Sequence, residues 1–150
     1  MRYVLGLGNY AMGDDSIGLR IVEAIADQGL EDGFEAVEVG NDGMQVLTYF
    51  DESTERIVIV DAVDFGGAPG DVTIFSPDEV ETHKVTGNIS THEGDILKLV
   101  ELAKQIDQYI PPIRIVAIQP EVMSVDSGLS DRLAGRFDDY VQAVLDAVGA

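Results

Sequence analysis

Residues Ile57–Val60 form an unbroken apolar run, Ile-Val-Ile-Val, entered through Arg56 and left through Asp61. A strand that is apolar at every position cannot leave either face in water. It belongs at the centre of a parallel sheet covered by helices above and below. The rest of the chain supplies the parts for such a sheet. Tyr3–Leu7, Phe34–Val39 and Ile113–Ile118 read as further strands, and Asp71–Phe75 as an edge strand, expected to be antiparallel. Ile17, Ile21, Ala24 and Ile25 recur at helical spacing and the segment closes at Gly29. Met44–Phe50 reads as a short helix, and Ile96, Leu99, Val100 and Ala103 mark an amphipathic helix from about Thr91 to Ile106. Ser130 caps what reads as one long helix carrying Leu133, Phe137, Val141, Val144 and Leu145. Ser76–Gly87 is polar, with room for a single helical turn. Strands alternating with helices imply right-handed crossovers. The expected fold is an α/β three-layer sandwich with a mainly parallel, roughly five-stranded sheet and helices on both faces. Residues 1–150 form one domain, without repeats or linkers.

Composition narrows the function. The chain holds no cysteine, which excludes disulfides, thiolate nucleophiles and Cys-ligated metal centres. Its 28 acids against 9 basic residues give a formal charge of −19. Nucleic-acid binding rests on Lys and Arg neutralising phosphates, so a field of this sign opposes it, and it opposes anionic membranes likewise. No apolar run approaches the ~20 residues that a membrane span needs. The N-terminal residues carry no basic region or apolar core of secretory type, so a cytoplasmic protein is expected. No G-x-S-x-G, H-E-x-x-H or P-loop pattern is present.

Three short segments carry the chemistry: Gly6–Asp15, Val58–Asp61 and Ile89–His92. In an open α/β sheet, groups just past the carboxyl ends of parallel strands gather in one crevice. Asp61, directly after the apolar run, is expected half-buried there. Burial without a partner would raise its pKa and lower stability, so a cation or a hydrogen-bond donor is expected beside it. Asp64, three residues on, is either a supporting residue or solvent-facing. Asp14 and Asp15 stand at a helix start, where acids are stabilised by capping and by the dipole. We assign Asp14 to the cap and treat Asp15 as either a dipole partner or a crevice ligand. His83 lies among polar residues and reads as solvated, whereas His92 begins a helix. Asp15, Asp61 and His92 together would offer two oxygens and one nitrogen to a metal with open positions.

Gly6, Gly8 and Ala11 also match the G-x-G-x-x-A dinucleotide fingerprint. Two carboxylates at the helix start would repel a pyrophosphate. The strand-ending acid Glu38 lies about thirty residues past Gly8, where about twenty is usual. Nucleotide binding is therefore the weaker reading.

These segments in this order, G-L-G-N-Y-A-M-G-D-D-S-I-G-L-R, I-V-I-V-D-A-V-D, N-I-S-T-H and the later I-Q-P-E, resemble the maturation endopeptidases of nickel–iron hydrogenases across essentially the whole chain. The resemblance implies a five-stranded twisted sheet with helices on both sides. It also implies removal of a C-terminal peptide from the hydrogenase large-subunit precursor after nickel insertion. By this likeness Asp15, Asp61 and His92 would be both the catalytic and the metal-contacting residues. The nickel would be supplied by the precursor, which fits the absence of cysteine, and no tightly bound organic cofactor is implied. The implied partner is the precursor, with no nucleic acid and no membrane insertion, and a monomer is expected. A module that senses the metal without cutting would use the same ligands. The stretch Gly40–Met44 departs from the Asp-Gly-(Gly)-Thr type motif of many relatives by lacking the Thr. Asn41 and Asp42 are therefore given at most a substrate contact.

Overall fold

The computed structural model describes residues 1–79 and 91–149, the side chains of 91–95 excepted. Five strands form one sheet: β1 (Arg2–Leu7), β2 (Phe34–Gly40), β3 (Arg56–Ala62), β4 (Val72–Phe75) and β5 (Ile113–Ile118). Their order is β2-β1-β3-β5-β4. β2, β1, β3 and β5 run parallel, and β4 lies antiparallel on the β5 edge, as its sequence suggests. The helices are α1 (Ile17–Asp27), α2 (Thr91–Gln105), α3 (Asp131–Ala134) and α4 (Phe137–Val148).

The run Ile57–Val60 pairs with β1 on one side and β5 on the other, and all four side chains are fully buried. Val58 and Val60 face α1 and α4, packing with Val4, Ile17, Ile21, Val141 and Val144. Ile57 and Ile59 face the opposite layer, with Leu5, Ile96, Leu99 and Val100. The period of two along the strand splits the core into two slabs, and the three-layer expectation holds.

Three local readings change. Asp61 lies inside β3, opposite Ala117 of β5, and not beyond its end. The short helix expected at Met44–Phe50 is a 3-10 segment, Gly43–Tyr49, whose start is capped by the Asp42 carboxylate accepting from the Met44 N–H at 3.1 Å. The long helix from Ser130 is two. Ser130 does cap α3, but Gly135 ends that turn before α4 begins. Glycine weakens a helix interior by about 1 kcal/mol. Arg136, at the junction, donates to the Gly70 carbonyl at 2.7 Å, which holds the break open. His83 and most of Ser76–Gly87 lie outside the described residues; 77–79 are helical.

The glycines of the opening motif serve close packing of backbone on backbone. A Cβ at Gly18, in α1, would run into the Val60 carbonyl oxygen and lie 2.6 Å from that of Leu7. A Cβ at Gly6 would lie 2.6 Å from the Gly18 carbonyl oxygen. Helix α1 thus rests directly on β1 and β3. Gly18→Ala must push the helix off the sheet, and we expect it to destabilise the fold by roughly 2–4 kcal/mol. In thermal unfolding this reads as a Tm lower by about 10 °C.

Candidate functional site

β1 leads through a loop and a 3-10 turn, Gly13–Ser16, into α1. Gly8 takes a φ of +135°, and a Cβ there would collide with the Asp15 carbonyl oxygen. The second glycine of the motif therefore admits the chain's own turn, and the space a dinucleotide would need against this loop is filled by backbone. The turn folds back over the carboxyl edge of the sheet and touches β3.

This brings the turn that carries Asp15 against the strand that carries Asp61. Asp15 is 4 % exposed and Asp61 is 1 % exposed. Asp61 follows the alternation of Ile57 and Ile59 and so belongs to the face that α2 covers. His92 lies in the first turn of α2, and its side chain is outside the described residues. The C-terminal end of α2 leads into the start of β5, and a 15-residue helix is about 22 Å long. Its first turn is therefore carried toward the same carboxyl edge. Among the described residues no three metal-ligating side chains converge.

Asp14 does not cap α1. It is fully buried, and its carboxylate accepts three backbone hydrogen bonds from a distant loop. Oδ2 takes the N–H groups of Glu121 at 2.8 Å and Val122 at 2.9 Å, and Oδ1 takes that of Ser130 at 2.7 Å. The Asp14 N–H in turn donates to the Val122 carbonyl at 2.7 Å. Three N–H donors neutralise a buried carboxylate as well as a cap would, which is why local reasoning about a helix start went astray.

Asp64 is committed as well. Its Oδ1 accepts from the Gly66 N–H and from the Gln119 side-chain amide, both at 3.1 Å. Gln119 Oε1 accepts from Phe65 N–H at 3.0 Å and Gly67 N–H at 3.2 Å, so this largely buried glutamine ties the loop after β3 to the end of β5. Its signal in the sequence was a polar side chain set directly after an apolar strand. Asn41 and Asp42 are exposed and line a small groove with Met44, Lys98, Leu99 and Leu102.

Tyr10 pins the glycine loop from outside. Its hydroxyl sits between the carboxylates of Glu38 and Glu23, the latter at 2.7 Å, and Arg20 lies over its ring. Glu38, the strand-ending acid weighed above, is a hydrogen-bond acceptor for this phenol.

A mainly parallel five-stranded sheet with two buried carboxylates toward its carboxyl edge defines an α/β protein. The family model described as HycI, hydrogenase maturation protease, matches residues 19–147. The chain belongs to the hydrogenase maturation protease family. It is 29 % identical over 138 residues to the hydrogenase expression/formation protein HupD of Rhodobacter capsulatus, covering 90 % of this chain and 65 % of that protein. It is also 29 % identical over 147 residues to the hydrogenase 2 maturation protease of Escherichia coli, covering 97 % and 88 %. The structure of the hydrogenase maturating endopeptidase HybD from E. coli superposes with a TM-score of 0.82 at 26 % identity, over 98 % of this chain and 91 % of that one. No described helix is long and apolar enough to cross a membrane.

Three tyrosines hold their protons more tightly than a free phenol. Burial does this first at Tyr10, Tyr49 and Tyr140, reinforced at Tyr10 by Glu38 and Glu23 and opposed at Tyr140 by Arg136. Each folded-state pKa is raised, so each contribution to stability is complete below the unfolded value of about 10. It is lost as pH rises through the folded values. We expect denaturant stability to fall above about pH 10, and ultraviolet phenolate absorbance to develop later in the folded than in the unfolded chain.

Proposed function

We propose that this chain is an endopeptidase that removes the C-terminal extension of a nickel–iron hydrogenase large-subunit precursor once nickel is in place. The observation that carries this reading is the pair of buried carboxylates, Asp15 and Asp61, at the carboxyl edge of the sheet in a chain of this family. Two carboxylate oxygens and a neutral imidazole from His92 suit a divalent ion of nickel's class. Softer thiolate ligands must come from the other protein, since this chain has no cysteine. Nickel is thus part of the substrate, and the enzyme needs no resident metal and no organic cofactor.

In this reading Asp15, Asp61 and His92 dock on the precursor's nickel and hold the scissile peptide in the crevice. Water adds to the peptide carbonyl carbon, the C–N bond breaks, and the leaving amine takes a proton. Nickel held by the precursor would supply Lewis-acid polarisation of that carbonyl or a hydroxide from bound water, and a carboxylate such as Asp61 would alternatively accept the proton of the attacking water. Only a loaded precursor completes the ligand set, so the metal acts as a checkpoint. Asn41 and Asp42, on their groove, contact the substrate without entering the chemistry. The protein works as a cytoplasmic monomer.

The test is intact mass spectrometry of nickel-loaded and nickel-free precursor after incubation with this protein. Loss of a C-terminal peptide from the loaded form alone is the expected result. Asp61→Ala should keep the fold, read as a cooperative thermal transition, and slow processing by about 10²–10⁴-fold or more. Processing at the wild-type rate by that variant would remove Asp61 from the mechanism. A stable complex without cleavage would point instead to a metal-sensing module.

A further inference from the structure

We infer that Asp14 is a positioning residue: its buried carboxylate clamps the loop 121–130 and thereby fixes the direction of the neighbouring Asp15. This rests on the reading of Asp15 as a residue that meets the substrate.

The turn that carries Asp15 is short, Gly13–Ser16, and its own hydrogen bonds are few. The Asp15 N–H donates to Met12 at 3.1 Å, and the Ser16 hydroxyl donates to Gly13 at 2.6 Å. Neither bond joins the turn to the rest of the protein. Hydrogen bonds from Asp14 and its flanks reach a loop far along the chain. Three N–H groups from residues 121, 122 and 130 converge on its carboxylate, and its own N–H returns a bond to Val122. Beside it the Asp126 N–H donates to the Ala11 carbonyl at 2.7 Å. Gly13 lies so close to this loop that a Cβ would stand 2.6 Å from the Val122 carbonyl oxygen.

The need for such a clamp is geometric. Asp15 is carried by a four-residue turn between β1 and α1 that belongs to no strand ladder. The three N–H groups on Asp14 tie this turn to a loop far along the chain and satisfy a fully buried carboxylate. Asparagine would not replace it, because it would set its NH2 group against at least one of the three N–H donors.

The experiment compares wild type, Asp14→Asn and Ser130→Pro, each assayed well below its own Tm. Ser130 has a φ of −64°, which proline adopts, so that variant removes one donor, together with the hydroxyl that caps α3, while leaving Asp14 in place. Arg2→Met removes the side-chain bonds to the Val148 and Gly149 carbonyls at the opposite end of β1 and serves as a control of altered stability away from the turn. With nickel-loaded precursor as substrate, Asp14→Asn should lower kcat about 10–100-fold with KM within about twofold, the pattern of a misaligned group. Ser130→Pro should shift kcat in the same direction by less, and Arg2→Met should leave it within about twofold. Hydrogen exchange on the protein alone gives a second readout: the amides of Asp15, Glu121 and Val122 should exchange at least about tenfold faster in Asp14→Asn. Wild-type kcat in both variants, or unchanged exchange at Asp15, would overturn the inference. If wild type itself cuts no precursor, the proposed activity fails, while the exchange data still decide whether Asp14 fixes Asp15.

Discussion

The contact on which the rest of the structure depends is the seating of α1 directly on the backbone of β1 and β3. Gly18 lies against the carbonyls of Val60 and Leu7, and Gly6 against the carbonyl of Gly18. With no side chain between them, helix and sheet approach more closely than ordinary apolar packing allows. The consequence is felt at the carboxyl edge. The residues that join β1 to α1 have little distance to cover, and the 3-10 turn is pressed down against the end of β3. Asp15 and Asp61, distant in sequence, are buried at one edge because two glycines remove the spacer between their elements.

Such an edge must then be kept from opening, and two polar devices do so. Asp14 gathers the loop 121–130, and Gln119 gathers the loop after β3 through Phe65, Gly67 and Asp64. Both are largely buried side chains bonded chiefly to backbone N–H groups, so they hold loops that have no ladder of their own. On the outer side, Tyr10 ties the glycine loop to α1 and β2 through Glu23 and Glu38. The carboxyl edge is therefore bordered by loops that are fastened individually, each by one side chain.

Much of this was legible in the chain. The apolar run Ile57–Val60 demanded cover on both faces, and the alternation of strands with helical spacings gave the layers, the parallel order and the antiparallel edge. Asp61 could be placed toward the carboxyl end of β3 because an acid ends an apolar run, but the strand continues through it and buries it fully where half burial was expected. Other features could not be read. The break at Gly135 is hidden in a segment whose apolar spacing suits one helix, and it is maintained by Arg136 reaching Gly70, 66 residues away. The 3-10 form of Gly43–Tyr49 follows from its cap and packing, where periodicity alone suggests an α-helix.

The sequence by itself determined the layered α/β architecture and the central place of β3, because burial pattern is a local property. Only the tertiary structure decided what Asp14 does. At a helix start its spacing says cap, yet its three partners lie 107, 108 and 116 residues further on. A carboxylate needs donors, and the chain nearby offers some. Which donors it takes is settled by which loop the folded sheet brings against it, and no local pattern records that meeting.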